Sequence, residues 1–201
     1  MKKLVIRRGK VVGKRISLTF DDGPDDNFTV QILDILKISN VKVTFFISGD
    51  KIENNIPLIK RMLEEGHEIG NHAYSHRTLC FLSGKKFREQ VEKIDELLAK
   101  NDLPITRYFR PPFGRFNPLH LNILRKMGKQ MILWDNGPKD FKCKSSREIQ
   151  EKILRKLKSG SIIVLHDGNG NRKLTIEALP GLIEEIRSKG YIFNKISDLL
   201  V

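Results

Sequence analysis

The reactive side chains of this chain gather in five short clusters. Asp21 and Asp22 precede Gly23 and Pro24; His72 and His76 stand four residues apart; Arg110 precedes Pro111 and Pro112; Trp134 leads to Asp135 and Asp140; His166 is followed by Asp167. Each cluster has a plain structural reading. Two aspartates before Gly-Pro suit a turn, the two histidines an exposed loop, Arg110 a rigid turn with a solvated charge, Trp134 the core, and His166 a cap on a loop carbonyl. The chemical reading is sharper. Histidines at i and i+4 lie on one side of a helical turn, the arrangement of metal-binding pairs. One carboxylate from the first cluster would complete a two-histidine, one-aspartate triad with room for water, a geometry typical of hydrolytic metal sites. No Ser-His-Asp arrangement offers a side-chain nucleophile.

Such residues need a scaffold, and the periodicity supplies one. Strand-like runs cover 16–20, 41–48, 67–71, 108–110, 130–134, 161–166 and 191–196. Helical stretches cover 27–38, 54–65, 84–100, 117–128, 145–158 and 174–189. Asn117 before Pro118 reads as an N-cap and first helical residue, and Ser145 with Glu148 as a capping box. Gly66, Gly128, Gly160 and Gly190 stand where helices should stop. Strands alternating with helices imply a parallel sheet, either open and doubly wound or closed into a barrel. All five clusters follow strand C-terminal ends, where the loops of such folds converge, and three of the five histidines are among them.

The chain has 201 residues, 39% apolar and 30% charged, the length of one domain. A chain of this size buries about 70% of its unfolded surface, enough for a core without disulfides. No apolar run approaches the roughly 18–20 residues that span a bilayer. Collagenous, disordered and disulfide-rich classes are excluded by composition. The net charge is +13, and Lys2, Lys3, Arg7, Arg8, Lys10, Lys14 and Arg15 stand in residues 1–15 without an acid. This basic N-terminal arm, ahead of a domain at 16–201, reads either as a footprint for a polyanion such as an anionic cell wall or membrane surface or as a solvated basic surface with a frayed N-terminus. Leu4, Val5 and Ile6 are too short a run for a secretory leader, so the location is left open between the cytoplasm and a chain whose leader has been removed. Only 7% of residues are aromatic and no base-stacking or helix-turn-helix pattern is present, so nucleic acid is not the expected partner. Cys80 and Cys143 have no metal or redox spacing and read as buried free thiols. Oligomeric state is not legible.

In order along the chain, the segments 19–24, 72–76, 110–114, 134–141 and 164–166, with a second strand at 43–47, resemble the motifs of the polysaccharide deacetylases, carbohydrate esterase family 4. The resemblance extends over about residues 16–198. It implies a distorted, seven-stranded (β/α) barrel of the TIM-like kind, α/β in class and a single domain. It also implies a divalent metal on Asp22, His72 and His76, with Zn²⁺ first and Co²⁺, Ni²⁺ or Mn²⁺ also compatible with these ligands. Asp21 would be the general base, held by Arg110. The Phe113 backbone amide would stabilise the oxyanion. His166 would be the general acid, supported by Asp140, although Asp135 competes for that place. Trp134 and Leu165 would line a pocket for the acetyl methyl. The chain departs from the pattern at Ala73, Arg77 and Phe113, none of which contributes a metal ligand in the family. The implied activity is metal-dependent removal of N-acetyl groups from N-acetylglucosamine-type residues of peptidoglycan or a chitin-like glycan. Two alternatives are an O-acetyl xylan esterase with the same machinery and a non-catalytic glycan- or polyanion-binding protein.

Overall fold

The computed structural model describes residues 4–200, so Lys2 and Lys3 of the basic segment lie outside the described residues. All seven expected strands are present: β2 (Arg15–Asp21), β3 (Thr44–Ile47), β4 (Glu68–Asn71), β5 (Tyr108–Phe109), β6 (Gln130–Ile132), β7 (Ile162–His166) and β8 (Ile192–Phe193). The six expected helices are α1 (Phe28–Ile38), α2 (Ile56–Glu64), α3 (Gly84–Lys100), α4 (Pro118–Lys126), α5 (Ser146–Lys156) and α6 (Lys173–Ser188). Besides four short 3-10 turns, two elements were not anticipated: a short strand β1 (Val5–Ile6) and a last turn of helix α7 (Ile196–Leu199). The caps form as expected. Asn117 Oδ1 accepts from the Leu119 amide at 3.0 Å, and Ser145 Oγ from Glu148 at 3.2 Å. The Glu148 carboxylate takes the Lys144 amide, one residue earlier than a capping box requires.

The main sheet runs β1-β6-β5-β4-β3-β2-β7, every ladder parallel, with β8 paired to one end of β2. Strand alternation sorts the side chains between two faces. Ile16, Leu18 and Phe20 of β2 face outward and, with Phe45, Ile47, Ile163 and Leu165, pack against α1, α2, α5 and α6. A second outer cluster joins Phe109, Met131 and Leu133 to Phe87, Val91 and Leu124 of α3 and α4. Phe46, Tyr108, Ile132 and Ile162 face inward and are closed off by Ile196 and Leu199 of α7.

Between β6 and β7 the barrel has a seam. No ladder crosses it among the described residues; a single bridge joins Asn136 to Ile163 and another joins Arg8 to Ser161. The N-terminal segment fills the gap: the Met131 and Leu133 amides donate to Leu4 and Ile6, and the Gly9 amide to Gly160 at 2.8 Å. Gly160 has a φ of +80°, and a Cβ there would lie 2.2 Å from the Gly9 carbonyl oxygen. The reading of a frayed N-terminus is therefore corrected for residues 5–9. Residues 5–9 are a structural part of the barrel wall, because β6 would otherwise leave a polar edge unpaired. The expectation for Cys80 and Cys143 also changes in part: both are free, but each is half-buried rather than buried.

Candidate active site

The five clusters converge on one cavity of about 760 Å³ at the C-terminal ends of the strands. β2 ends in Asp21, whose carboxylate faces into the barrel; β4 runs directly into His72, and His76 follows within the same loop. Asp22, Ala73 and Phe113 hold left-handed backbone conformations, with φ of 78°, 67° and 60°. None of these is glycine, so each conformation is held against a local cost by its surroundings. Gly23 enables one such constraint, since a Cβ there would lie 2.1 Å from the Asp167 carboxylate.

Asp22, His72 and His76 each offer one ligand atom, and the three atoms lie within 4.8 Å of one another. The Nε2 atoms of His72 and His76 are 3.2 and 3.0 Å from Asp22 Oδ1. His72 Nδ1 lies 2.8 Å from the Arg110 carbonyl oxygen. A carbonyl can only accept, so Nδ1 donates to Arg110, which leaves Nε2 as the ring atom turned to Asp22. Asp22 Oδ1 is buried without a hydrogen-bond partner. Burial alone would push this carboxyl up, but the two imidazoles outweigh it and hold it well below the usual carboxylate range. Converging acceptor atoms of this type fit a divalent cation.

Arg110 fills the barrel interior and is 0% exposed. Its Nη1 donates to Asp21 Oδ1 at 2.5 Å and to Thr19 Oγ1 at 2.8 Å, and its Nε to the Ile132 carbonyl at 3.2 Å. The guanidinium lies 3.9 Å from the Phe46 ring centroid and 5.6 Å from that of Trp134. Asp21 is thus buried, ionically paired and still in the wall of the cavity.

Opposite, His166 Nδ1 meets Asp140 Oδ1 at 2.7 Å, and Asp140 Oδ2 accepts from the His166 amide and from Thr175 Oγ1. Burial opposes protonation of His166, but the Asp140 carboxylate prevails and raises its pKa above that of a free imidazole. Asp135 is occupied elsewhere, accepting from the Ile162 amide and facing Lys158, which leaves Asp140 as the partner of His166. Asp167 is buried against Thr29 Oγ1 at 2.6 Å, and burial pushes its carboxyl up to about 7.

Of the ten expected site residues, Asp21, Asp22, His72, His76, Phe113, Trp134 and His166 line the cavity, with Arg110 and Asp140 directly behind it. Leu165 does not; it is fully buried in the outer cluster under the helices. Its neighbour Val164 lines the cavity instead, because residues 164 and 166 share one face of β7. Strand parity was the available signal. Phe141 was also passed over as a lining residue: it is 54% exposed, and its ring stands edge-on to His166 at 5.4 Å between centroids.

The family model for polysaccharide deacetylase matches residues 8–132. The chain is 36% identical over 192 residues to a peptidoglycan-N-acetylglucosamine deacetylase of Bacillus cereus, covering 93% of this chain and 88% of that protein. Its fold is similar to that of the solved Bc1960 peptidoglycan N-acetylglucosamine deacetylase, with a TM-score of 0.94 at 32% identity over 98% of this chain and 92% of the other. It is also similar to BA3943 of Bacillus anthracis, described as a family pseudoenzyme, with a TM-score of 0.92 at 28% identity over 100% of this chain and 70% of the other.

Proposed function

Since the chain belongs to the polysaccharide deacetylase family and is a hydrolase of that kind, we propose that it removes N-acetyl groups from N-acetylglucosamine-type residues of peptidoglycan. Asp22, His72 and His76 would hold a divalent cation, Zn²⁺ in the first place. When bound, the ion supplies Lewis-acid polarisation of the acetamide carbonyl and acidifies water. Asp21 takes the proton of the attacking water, its carboxylate oriented by Arg110. The Phe113 backbone amide donates to the oxygen that becomes negative, a contribution of a few kcal/mol for a donor aimed in advance. His166 donates its Nε2 proton to the departing nitrogen as the C–N bond breaks, releasing acetate and a free amine. Asp140 accepts from Nδ1 and so keeps Nε2 turned to the substrate. Trp134, Val164 and Phe141 surround the space for the acetyl methyl.

The observation that carries this reading is the presence, in one cavity, of the Asp/His/His triad together with a base paired to a buried arginine and an acid paired to a buried aspartate. A relative with the same fold is a pseudoenzyme, so the support comes from these residues rather than from the fold. Exposed Arg7, Arg8 and Lys10 would add attraction to an anionic wall.

The test is acetate release from N-acetylglucosamine oligomers and peptidoglycan by chelated protein, before and after Zn²⁺ or Co²⁺ is restored. Release is expected to vanish with chelation and return with metal. Silence on every N-acetylated glycan with metal confirmed bound would overturn the reading. So would full activity surviving both Asp21→Asn and His76→Ala. Release from acetyl xylan alone would assign the esterase instead.

A further inference from the structure

The acids of the cavity are paired, but two of its cations are not. Asp21 is held by Arg110, and Asp22 faces two imidazoles. Among the lining cations, Arg172 is anchored by the carbonyls of Gly168 and Asn169 and is buried. Arg115 and Lys139 differ. Both line the mouth and are exposed, and neither side chain makes a hydrogen bond or ion pair among the described residues. They come from neighbouring loops, after β5 and β6, and each is carried on a bent backbone: Arg115 follows Phe113 and Gly114 at φ of 60° and 65°, and Lys139 has a φ of 56°. Their placement is therefore set by the loop rather than by a partner. Two exposed phenyl rings stand close by in sequence, Phe113 beside Arg115 and Phe141 beside Lys139, each 54% exposed and each against a histidine of the centre. Sugar faces can lie on such rings while the cations reach beyond them. A cavity of about 760 Å³ is the size that takes a drug-sized ligand, far more than an acetamido group.

We propose that Arg115 and Lys139 form an anion-recognising rim that selects glycans bearing a carboxylate on a sugar beside the one that is deacetylated. The inference rests on the deacetylase reading and deepens it. Unpaired cations at a cleft mouth attract an anionic substrate and hold it by a charge-assisted hydrogen bond, which an uncharged glycan cannot match. The neutral chitin-type oligomer and the acidic alternating glycan then become substrates of unequal quality, separated mainly in KM.

The experiment compares three soluble tetrasaccharides with the metal-loaded protein: all N-acetylglucosamine; alternating N-acetylglucosamine and N-acetylmuramic acid; and the latter with its carboxylates methyl-esterified. The acidic tetrasaccharide is expected to exceed its methyl ester in kcat/KM by about tenfold, the value of one charge-assisted contact. That ratio should shrink as salt is raised. In the Arg115→Gln/Lys139→Gln variant it should fall toward one, and a single Lys139→Gln variant should show an intermediate ratio if the double variant is poorly folded. Equal kcat/KM for the acid and its ester would overturn the rim alone, as would a preference retained by both variants. No acetate from any of the three would overturn the deacetylase reading, and the rim with it.

Discussion

At the scale of single residues, the pair Asp21–Arg110 would, on the proposed mechanism, do two jobs whose mutational signatures separate. A buried guanidinium left without its carboxylate costs about 3–5 kcal/mol, so Asp21→Ala should lower stability by that order in a denaturant melt. Asp21→Asn keeps a hydrogen-bond acceptor for Arg110 and should lose less stability, while kcat falls roughly 10²–10⁴-fold through loss of the base. On the proposed mechanism, the Asp140–His166 pair sets a pH limit. Because Asp140 raises the His166 pKa, the acid stays protonated to a higher pH than free imidazole, and activity declines as pH rises through that value. Asp140→Asn removes the stabilising charge; the alkaline limb of the kcat profile should move to lower pH, and an unmoved limb would contradict the assignment. Val164 and Leu165 give a third contrast. Leu165→Ala should cost about 2–5 kcal/mol of stability with little change in KM, whereas Val164→Phe should raise KM by crowding the cavity. The two histidines were legible as a metal-type pair from their four-residue spacing, but the choice of Asp22 over Asp21 came only from the resemblance; the structure brings ligand atoms of all three within 4.8 Å of one another. The choice of Leu165 was not sound, since it ignored that residues two apart on a strand share a face.

At the scale of elements, the alternation of strands and helices was legible because its punctuation is local. Asn117, Ser145 and the glycines after helices state their roles within a few residues. β1 was not legible for the opposite reason. It is two residues long, flanked by charge, and exists only because β6 presents an edge that the rest of the sheet leaves open. The same edge predicts a phenotype. Deleting residues 1–9 removes the bonds from Met131, Leu133 and Gly9 and should lower the melting temperature by about 5 °C. A detachable arm would leave it unchanged; calorimetry distinguishes the two.

At the scale of the whole molecule, a net charge of +13 acts over distances of about a Debye length, roughly 10 Å at 0.1 M salt. Raising salt from low to high should weaken adsorption to insoluble, anionic peptidoglycan and increase the apparent KM there. Turnover of a soluble neutral oligomer should be far less sensitive, and equal sensitivity of both would count against long-range attraction. Barrel interiors of this type are ordinarily filled by branched aliphatic side chains. Here Arg110 takes that place, packed on Phe46 and bonded to β2 and β6. On the proposed mechanism, activity and foldedness are thereby fastened to one residue, and this makes inheritance uneven. A lineage released from selection for turnover can discard partly exposed His76 at small cost to the fold, but it must keep the arginine or rebuild the barrel around its absence. In a descendant that has fallen silent, the arginine would outlast the chemistry it once served.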